Sequence, residues 1–554
     1  MGARNTPGLV PGASHDEGVD AMPEPTRLDA LIVGAGFAGL YMLHKLRGTG
    51  FAARAVEAGS GVGGTWYWNR YPGARCDVES MFYCYQFDDA LSQDWEWTER
   101  YPAQAEILRY AEHVADRFEL WPDISLNTRV ASAAWDGDEA LWRVATDTGE
   151  EFLARSCIMA TGCLSAANRP DFAGLDDFAG RVFHTGRWPH ETVDFSGRLV
   201  GVIGTGSSAV QAIPEIAREA ARVTVFQRTA SYVVPANNRP LDAAEQADIK
   251  ARYPELRAAA RKTFGGFAVA IAQQSALAVP EDECRETLAR AWDHGGIGFL
   301  NSYRDFGFDE AANRRAQDFV RQKIRETVRD PETAEKLTPR HVIGCKRLSL
   351  GDDYYAAFNR PNVELVPLGE DGIGRIVPGG LTAGGEEYRF DDLVLATGFD
   401  AMTGALARID IRGRGGRALA EAWRAGPRMY LGLMSNGFPN LFTITGPGSP
   451  SVLSNMMPTI EHHVEWIAAC LEYLRDNRIR EIEPRLEAQD AWVEHGNEVA
   501  SKTLRYNCSS WYLGANVPGK PRVFMPYIGG MPSYMKKCAA VAASGYEGFE
   551  LTPG

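Results

Sequence analysis

Two strand–glycine-turn–helix units, with a block of helix-periodic residues after the second, predict an α/β fold. It has two Rossmann-like dinucleotide-binding domains and a helical insertion in the second. The first unit is the apolar run Leu28–Val33 entering Gly34-Ala35-Gly36-Phe37-Ala38-Gly39. The second is Arg198–Ile203 entering Gly204-Thr205-Gly206-Ser207-Ser208-Ala209. In both, a short run with β-branched residues precedes the glycines and a helix-compatible segment comes after them.

The remaining elements are set by periodicity. Between about 241 and 340, Ile249, Tyr253, Leu256 and Ala260 fall at helical spacing, as do Ala312, Ala316, Val320, Ile324 and Val328. Two buried strands each run into a Thr-Gly pair, Ile158-Met159-Ala160-Thr161-Gly162 and Leu393-Val394-Leu395-Ala396-Thr397-Gly398, and each is expected to end beside a nucleotide. The division this predicts begins with a mobile tail at 1–27, within which Met22 is a possible alternative start. The first nucleotide domain takes 28–168 and, after the interruption, 390–554. The second takes 169–240 and 341–389, around a helical insertion at 241–340.

Composition narrows the function. The 554 residues are 45 % hydrophobic and 23 % charged, enough to bury a full core across several domains. A formal charge of −14 opposes a nucleic-acid or anionic-membrane partner, since both need clustered cations. No stretch reaches the roughly 18 apolar residues of a membrane span, and the first 27 residues lack the apolar core of a signal peptide. A cytoplasmic location is expected. Nine cysteines without a CxxC pair point to reduced, buried thiols rather than a disulfide framework or a zinc site. The adjacent His462 and His463 would point about 100° apart on a helix and cannot chelate together, so no metal is expected.

The two turns differ in the residues one strand further along. The glycines give a tight turn, close backbone approach to a pyrophosphate, and close packing of helix on strand. Glu57 lies 23 residues past Gly34, at the end of the next strand Ala52–Val56, where a carboxylate accepts from ribose hydroxyls. At the same offset from Gly204 stand Gln227 and then Arg228, a cation suited to the 2′-phosphate of NADP. Two unlike dinucleotide sites imply hydride transfer from NADPH to a second cofactor, with FAD the usual acceptor. With no redox cysteine pair in the sequence, dioxygen or a soluble acceptor is left to take the electrons.

The chain also resembles the type I Baeyer–Villiger monooxygenases, a family of single-component flavin monooxygenases, in the branch of the phenylacetone and steroid enzymes. The family fingerprint FxGxxxHxxxWP is matched by Phe178, Gly180, His184, Trp188 and Pro189, followed by His190 where many members carry an acid. A second signature, GGTWYWNRYPGARCD, spans Gly63 to Asp77 and contains Gly64, Thr65 and Trp66. The resemblance implies oxidation of a small-molecule ketone to an ester or lactone with FAD, NADPH and dioxygen, through a flavin peroxide. It implies that Arg347 stabilises the peroxide and the adduct, and that Asp77 positions Arg347. It implies that Lys346 joins Arg228 and Thr229 around NADP, with Trp511 contacting NADP from a loop, and that Val452, Leu453 and Met456 shape the substrate pocket. His184 is expected to serve the linker rather than to move protons. N- or S-oxygenation remains an alternative, with sulfoxidation a possible side activity, and a non-catalytic nucleotide-binding protein is a further one.

Overall fold

A computed structural model describes residues 24–369 and 372–554. Most of the expected N-terminal tail, and the alternative start at Met22, lie outside the described residues. The first strand, Thr26–Val33, is longer than the apolar run that predicts it. Thr26 and Arg27 therefore belong to the sheet and not to the tail, because they pair in register with Phe152 and Leu153.

The first sheet has eight strands. At its centre Thr26–Val33 lies parallel to Ala53–Val56 on one side and to Glu151–Met159 on the other. The strand Glu151–Met159 shares its far edge between two partners. Its first half pairs antiparallel with Leu141–Thr146, and its last residues pair parallel with Leu441–Thr443. Segments from both ends of the chain thus build one sheet. All four pairings in the second sheet are parallel, in the order Val363–Pro367, Arg222–Gln227, Leu199–Ile203, Asp392–Leu395, Arg181–His184.

That order corrects the expected boundary at 390. Asp392–Leu395 is inserted between two strands of the second sheet, so the chain returns to the first domain only after it. The cause is electrostatic as well as apolar. The fully buried Asp392 carboxylate accepts from Arg181 at 2.6 Å and is also paired with Arg198, so three strand starts are pinned by one ion triad. Burial raises the carboxyl's pKa, but the two guanidinium groups outweigh it and leave it below the usual carboxylate range.

Within 241–340 the helices are Ala243–Ala251, Tyr253–Ala260, Glu281–His294, Glu310–Thr327 and Pro331–Leu337. The long helix Glu310–Thr327 buries Ala312, Ala316, Val320 and Ile324. The insertion is divided in its packing, however. Tyr253, Ile249 and Leu256 join the core of the first domain, whereas Ala312, Ala316 and Val320 join that of the second. It therefore braces both domains. Among the described residues no helix is long and apolar enough to cross a membrane.

Candidate active site

Both glycine turns sit where the sheets end, and each rests on one of the Thr-Gly strands. A Cβ on Gly34 would lie 2.6 Å from the Ala160 carbonyl oxygen, and one on Gly204 would lie 2.4 Å from that of Ala396. Their φ values of 109° and 118° also belong to a backbone region that side chains disfavour. Gly39 is tighter, since its Cβ would stand 1.8 Å from the Gly34 oxygen. Gly36 faces Gly64 from the second signature, with a Cβ-to-Cα approach of 3.3 Å. Beside Gly64, Thr65 is exposed and free to face a ligand. Trp66 is buried in the first core and donates its indole N–H to Tyr83 at 3.1 Å.

At the end of the second strand of the first domain, the buried Glu57 accepts from the backbone N–H of Ala35 and of Gly59, both at 2.8 Å. Burial pushes its carboxyl pKa up, and these N–H groups oppose the rise. Each carboxylate oxygen keeps a lone pair for a ribose hydroxyl. The carboxylate thereby ties the glycine turn to the strand end.

In the second domain the same place holds a buried amide, Gln227, which donates to the Lys336 carbonyl. Arg228 beyond it is exposed. Burial and then the charge of Arg228 pull the Lys346 ammonium below the usual lysine range. His341 nearby is pulled down to about 4 by burial and by Lys346 and Arg321. Neither Arg228 nor Lys346 has a carboxylate partner among the described residues. Two cations close enough to influence each other, without an acid, fit a dianionic phosphate ester. Around them, Gly206 and Ser207 are exposed at the N-terminus of the helix Ser207–Glu219, and a Cβ on Gly206 would meet open space. Ser208, one residue into the helix, is half-buried. Thr205 donates to the Thr229 carbonyl at 2.7 Å and closes the turn.

Between the domains Arg347 and Asp77 meet as the resemblance implied. The guanidinium donates Nε to Asp77 Oδ2 at 2.6 Å and Nη2 to Oδ1 at 2.7 Å, while Nη1 donates to the Val452 carbonyl at 2.7 Å. The two side chains keep 26 % and 23 % of their surface exposed, so the pair is open on one side. Burial works against the arginine's charge, but Asp77 outweighs it and raises its pKa further, so Arg347 stays cationic at any working pH.

Val452, Leu453 and Met456 lie on and just after the turn Ser451–Leu453, in one apolar cluster with Trp511, Tyr512, Cys163 and Met402. Asn455 fixes this loop by capping the following helix and donating to the Phe82 carbonyl at 2.9 Å. Sequence reading missed Tyr512, which is buried in this cluster with its ring 4.2 Å from that of Trp511. It also missed Gly265, whose carbonyl accepts from Asn455 N at 2.8 Å. Their bland local context carried no signal.

His184 accepts from Gly186 N at 3.0 Å through Nδ1, which leaves Nε2–H for the Asn168 carbonyl at 3.3 Å. Burial lowers its pKa, so it is neutral, and it secures the linker. His462 is half-buried and His463 buried, and His463 Nδ1 accepts from Thr445 N at 2.9 Å. No group of three or more His, Cys, Asp or Glu among the described residues is placed to hold a metal. The expectation of nine free thiols is corrected. Cys345 and Cys508, 163 residues apart, form a disulfide, and the other seven are buried and free. The fold brings the pair together, which spacing along the chain could not show.

Residues 31–263 match the pyridine nucleotide-disulphide oxidoreductase family. The chain is 42 % identical to a Baeyer–Villiger monooxygenase of Pseudooceanicola batsensis, over 94 % of this chain and 95 % of that one. It is also 42 % identical to a phenazine N-monooxygenase of Lysobacter antibioticus, over 95 % and 98 %. Among solved structures, an oxidized steroid monooxygenase bound to NADP superposes with a TM-score of 0.91 at 50 % identity, covering 96 % of this chain and 100 % of that one. Likeness of this depth over almost the whole of both chains, together with the fingerprint and the Arg347–Asp77 pair, shows that the chain belongs to the Baeyer–Villiger monooxygenase family.

Proposed function

We propose that this protein uses NADPH and dioxygen to oxidise a small-molecule ketone to an ester or lactone, with FAD as its resident cofactor. The observation that carries this reading is Arg347, a permanent cation fixed by a bidentate carboxylate at the mouth of an apolar cluster. FAD suits the first domain, with Gly34, Gly36, Gly39, Gly64 and Thr65 around the phosphates and Glu57 at the ribose. Trp66 supports that wall from the core. NADP(H) suits the second, with Gly204, Thr205, Gly206, Ser207 and Ser208 at the pyrophosphate. Arg228, Thr229 and Lys346 would then surround the 2′-phosphate, with Trp511 against the nucleotide. When bound, the flavin supplies hydride acceptance and dioxygen activation.

The chain's own residues supply the rest. Arg347 favours negative charge where oxygen attacks the carbonyl carbon, and it cannot lose its proton to that charge. Asp77 holds the guanidinium plane, so the cation is oriented before substrate arrives. Val452, Leu453 and Met456 exclude water and set ketone size. We also propose a cytoplasmic location, and a division in which the insertion 241–340 braces both domains.

Incubating the flavin-loaded protein with NADPH, a ketone panel and labelled dioxygen tests the reading. The expected product is one oxygen heavier than the ketone and carries the label. The N-monooxygenase relative favours a second reading, oxygenation at nitrogen or sulfur. Conversion of amines or sulfides while every ketone stays inert would establish it instead, whereas sulfoxidation alongside ketone turnover fits the first.

A further inference from the structure

Between the helices Leu486–Ser501 and Met531–Ala543 the only regular element is the short turn Trp511–Leu513. A connection this long without regular structure is uncommon in a compact domain and usually serves binding. Here 502–523 forms a strap, and its middle packs into the apolar cluster proposed above to hold the substrate. Trp511, Tyr512 and Leu513 share an apolar cluster with Val452, Leu453 and Met456.

The strap is fastened at two ends by different means. At the far end Asn516 donates to the Phe399 carbonyl at 2.7 Å, and Lys520 pairs with Asp400 and donates to the Ala401 carbonyl at 2.7 Å. At the near end Arg505 donates to the Gly344 carbonyl at 2.9 Å, and the Cys345–Cys508 disulfide closes the join. That disulfide is the only covalent fastening among the described residues. Cys345 immediately precedes Lys346 and Arg347, and Cys508 stands three residues before Trp511. One sulfur bond thus couples the phosphate-site cation, the site arginine and the apolar cluster.

The two sulfurs differ in access. Cys345 is 2 % exposed, whereas Cys508 is half-buried between exposed Asn507 and Ser509. A small thiolate therefore meets Cys508 first.

We propose that Cys345–Cys508 is a thiol–disulfide exchange site that takes low-molecular-weight dithiols and disulfides and sets how firmly the strap is held. A dithiol's thiolate bonds to Cys508 Sγ, the Cys345–Cys508 bond breaks, and Cys345 leaves with the electron pair and gains a proton. The reagent's second thiolate then attacks its own sulfur in the mixed disulfide and frees Cys508 as a thiol. Two electrons and two protons pass to the protein, and the dithiol becomes a cyclic disulfide. A low-molecular-weight disulfide reverses the change and is itself reduced to two thiols. With the bond open, the near end keeps only hydrogen bonds, each worth about 1 kcal/mol net, and the strap opens locally more often. In a reducing cytoplasm the dithiol form prevails, and oxidising conditions close it.

The flavin-loaded enzyme is treated with dithiothreitol or with oxidised glutathione, and the Cys345–Cys508 cross-link is followed by peptide mapping under non-reducing conditions. Trypsin then reads the strap at Lys502, Arg505 and Arg522. Reduction should speed strap cleavage at least about fivefold and raise the KM for NADPH several-fold, on the order expected for one lost local constraint. The C345S/C508S variant should be cleaved at the reduced rate and ignore dithiothreitol. Absence of the cross-link after oxidised glutathione would overturn the proposal, as would unchanged cleavage once the cross-link is gone. The wild-type reagent arms decide even if the variant fails to fold. The KM readout rests on the proposed NADPH site, whereas the map and the protease cleavage do not, so failure of one reading is distinguishable from failure of the other.

Discussion

At the first glycine turn the strand ends in a carboxylate buried on two backbone N–H groups; at the second it ends in an amide followed by an exposed arginine whose charge acts on a lysine. The backbones of the two turns match closely, each packing its leading glycine on an Ala carbonyl. Their third positions differ, Gly39 in the first and a buried Ala209 in the second. The common geometry holds a pyrophosphate in either place. What distinguishes the ligands is charge one strand away: a negative group for a ribose diol, a positive pair for a ribose phosphate.

The largest effect should come from making the first turn resemble the second. Gly39→Ala places a Cβ 1.8 Å from the Gly34 oxygen, so the purified protein should be colourless and fail to take up flavin on reconstitution. The reverse change, Ala209→Gly, should cost less than about 1 kcal/mol of stability in thermal melts and leave NADPH binding near normal. Next, Glu57→Gln turns one acceptor into a donor facing a backbone N–H. FAD binding, titrated by fluorescence, should weaken by about 10- to 100-fold, the penalty of one buried unpaired N–H.

At the second turn Arg228→Ala should lower the ratio of kcat/KM for NADPH over NADH by about tenfold, the worth of one charge-assisted contact. A ratio that does not move would remove the arginine from the phosphate site. The smallest effect is a pH dependence. Because burial and Arg228 lower the Lys346 pKa below its ordinary 10.5, the ammonium loses its proton at a lower pH than a free lysine would. The NADPH preference should therefore decline on the alkaline side before that value, and Lys346→Arg should abolish the decline.

Both turns were legible in the sequence because their requirements are local. A glycine that must accept positive φ, or leave room for a carbonyl, is written at its own position. The strand Asp392–Leu395 was legible as a strand, but its sheet was not, since its place depends on Arg181 and Arg198 about 200 residues away. Arg347 and Asp77 are 270 positions apart, and only the family resemblance joined them before the fold did. The Cys345–Cys508 bond had neither a spacing nor a motif to announce it. Trp66, a signature residue, is buried in the first core and tied to Tyr83 through its indole N–H, a contact the signature alone did not announce.

Arg347→Ala, read by mixing with NADPH and then with a ketone and labelled dioxygen, separates delivery of hydride from use of oxygen. Loss of the flavin's visible absorbance at close to the wild-type rate, with labelled ester absent, is the expected result. Labelled ester in undiminished yield, or equal loss of both steps in a protein that still holds its flavin, would contradict the role given to Arg347 and Asp77.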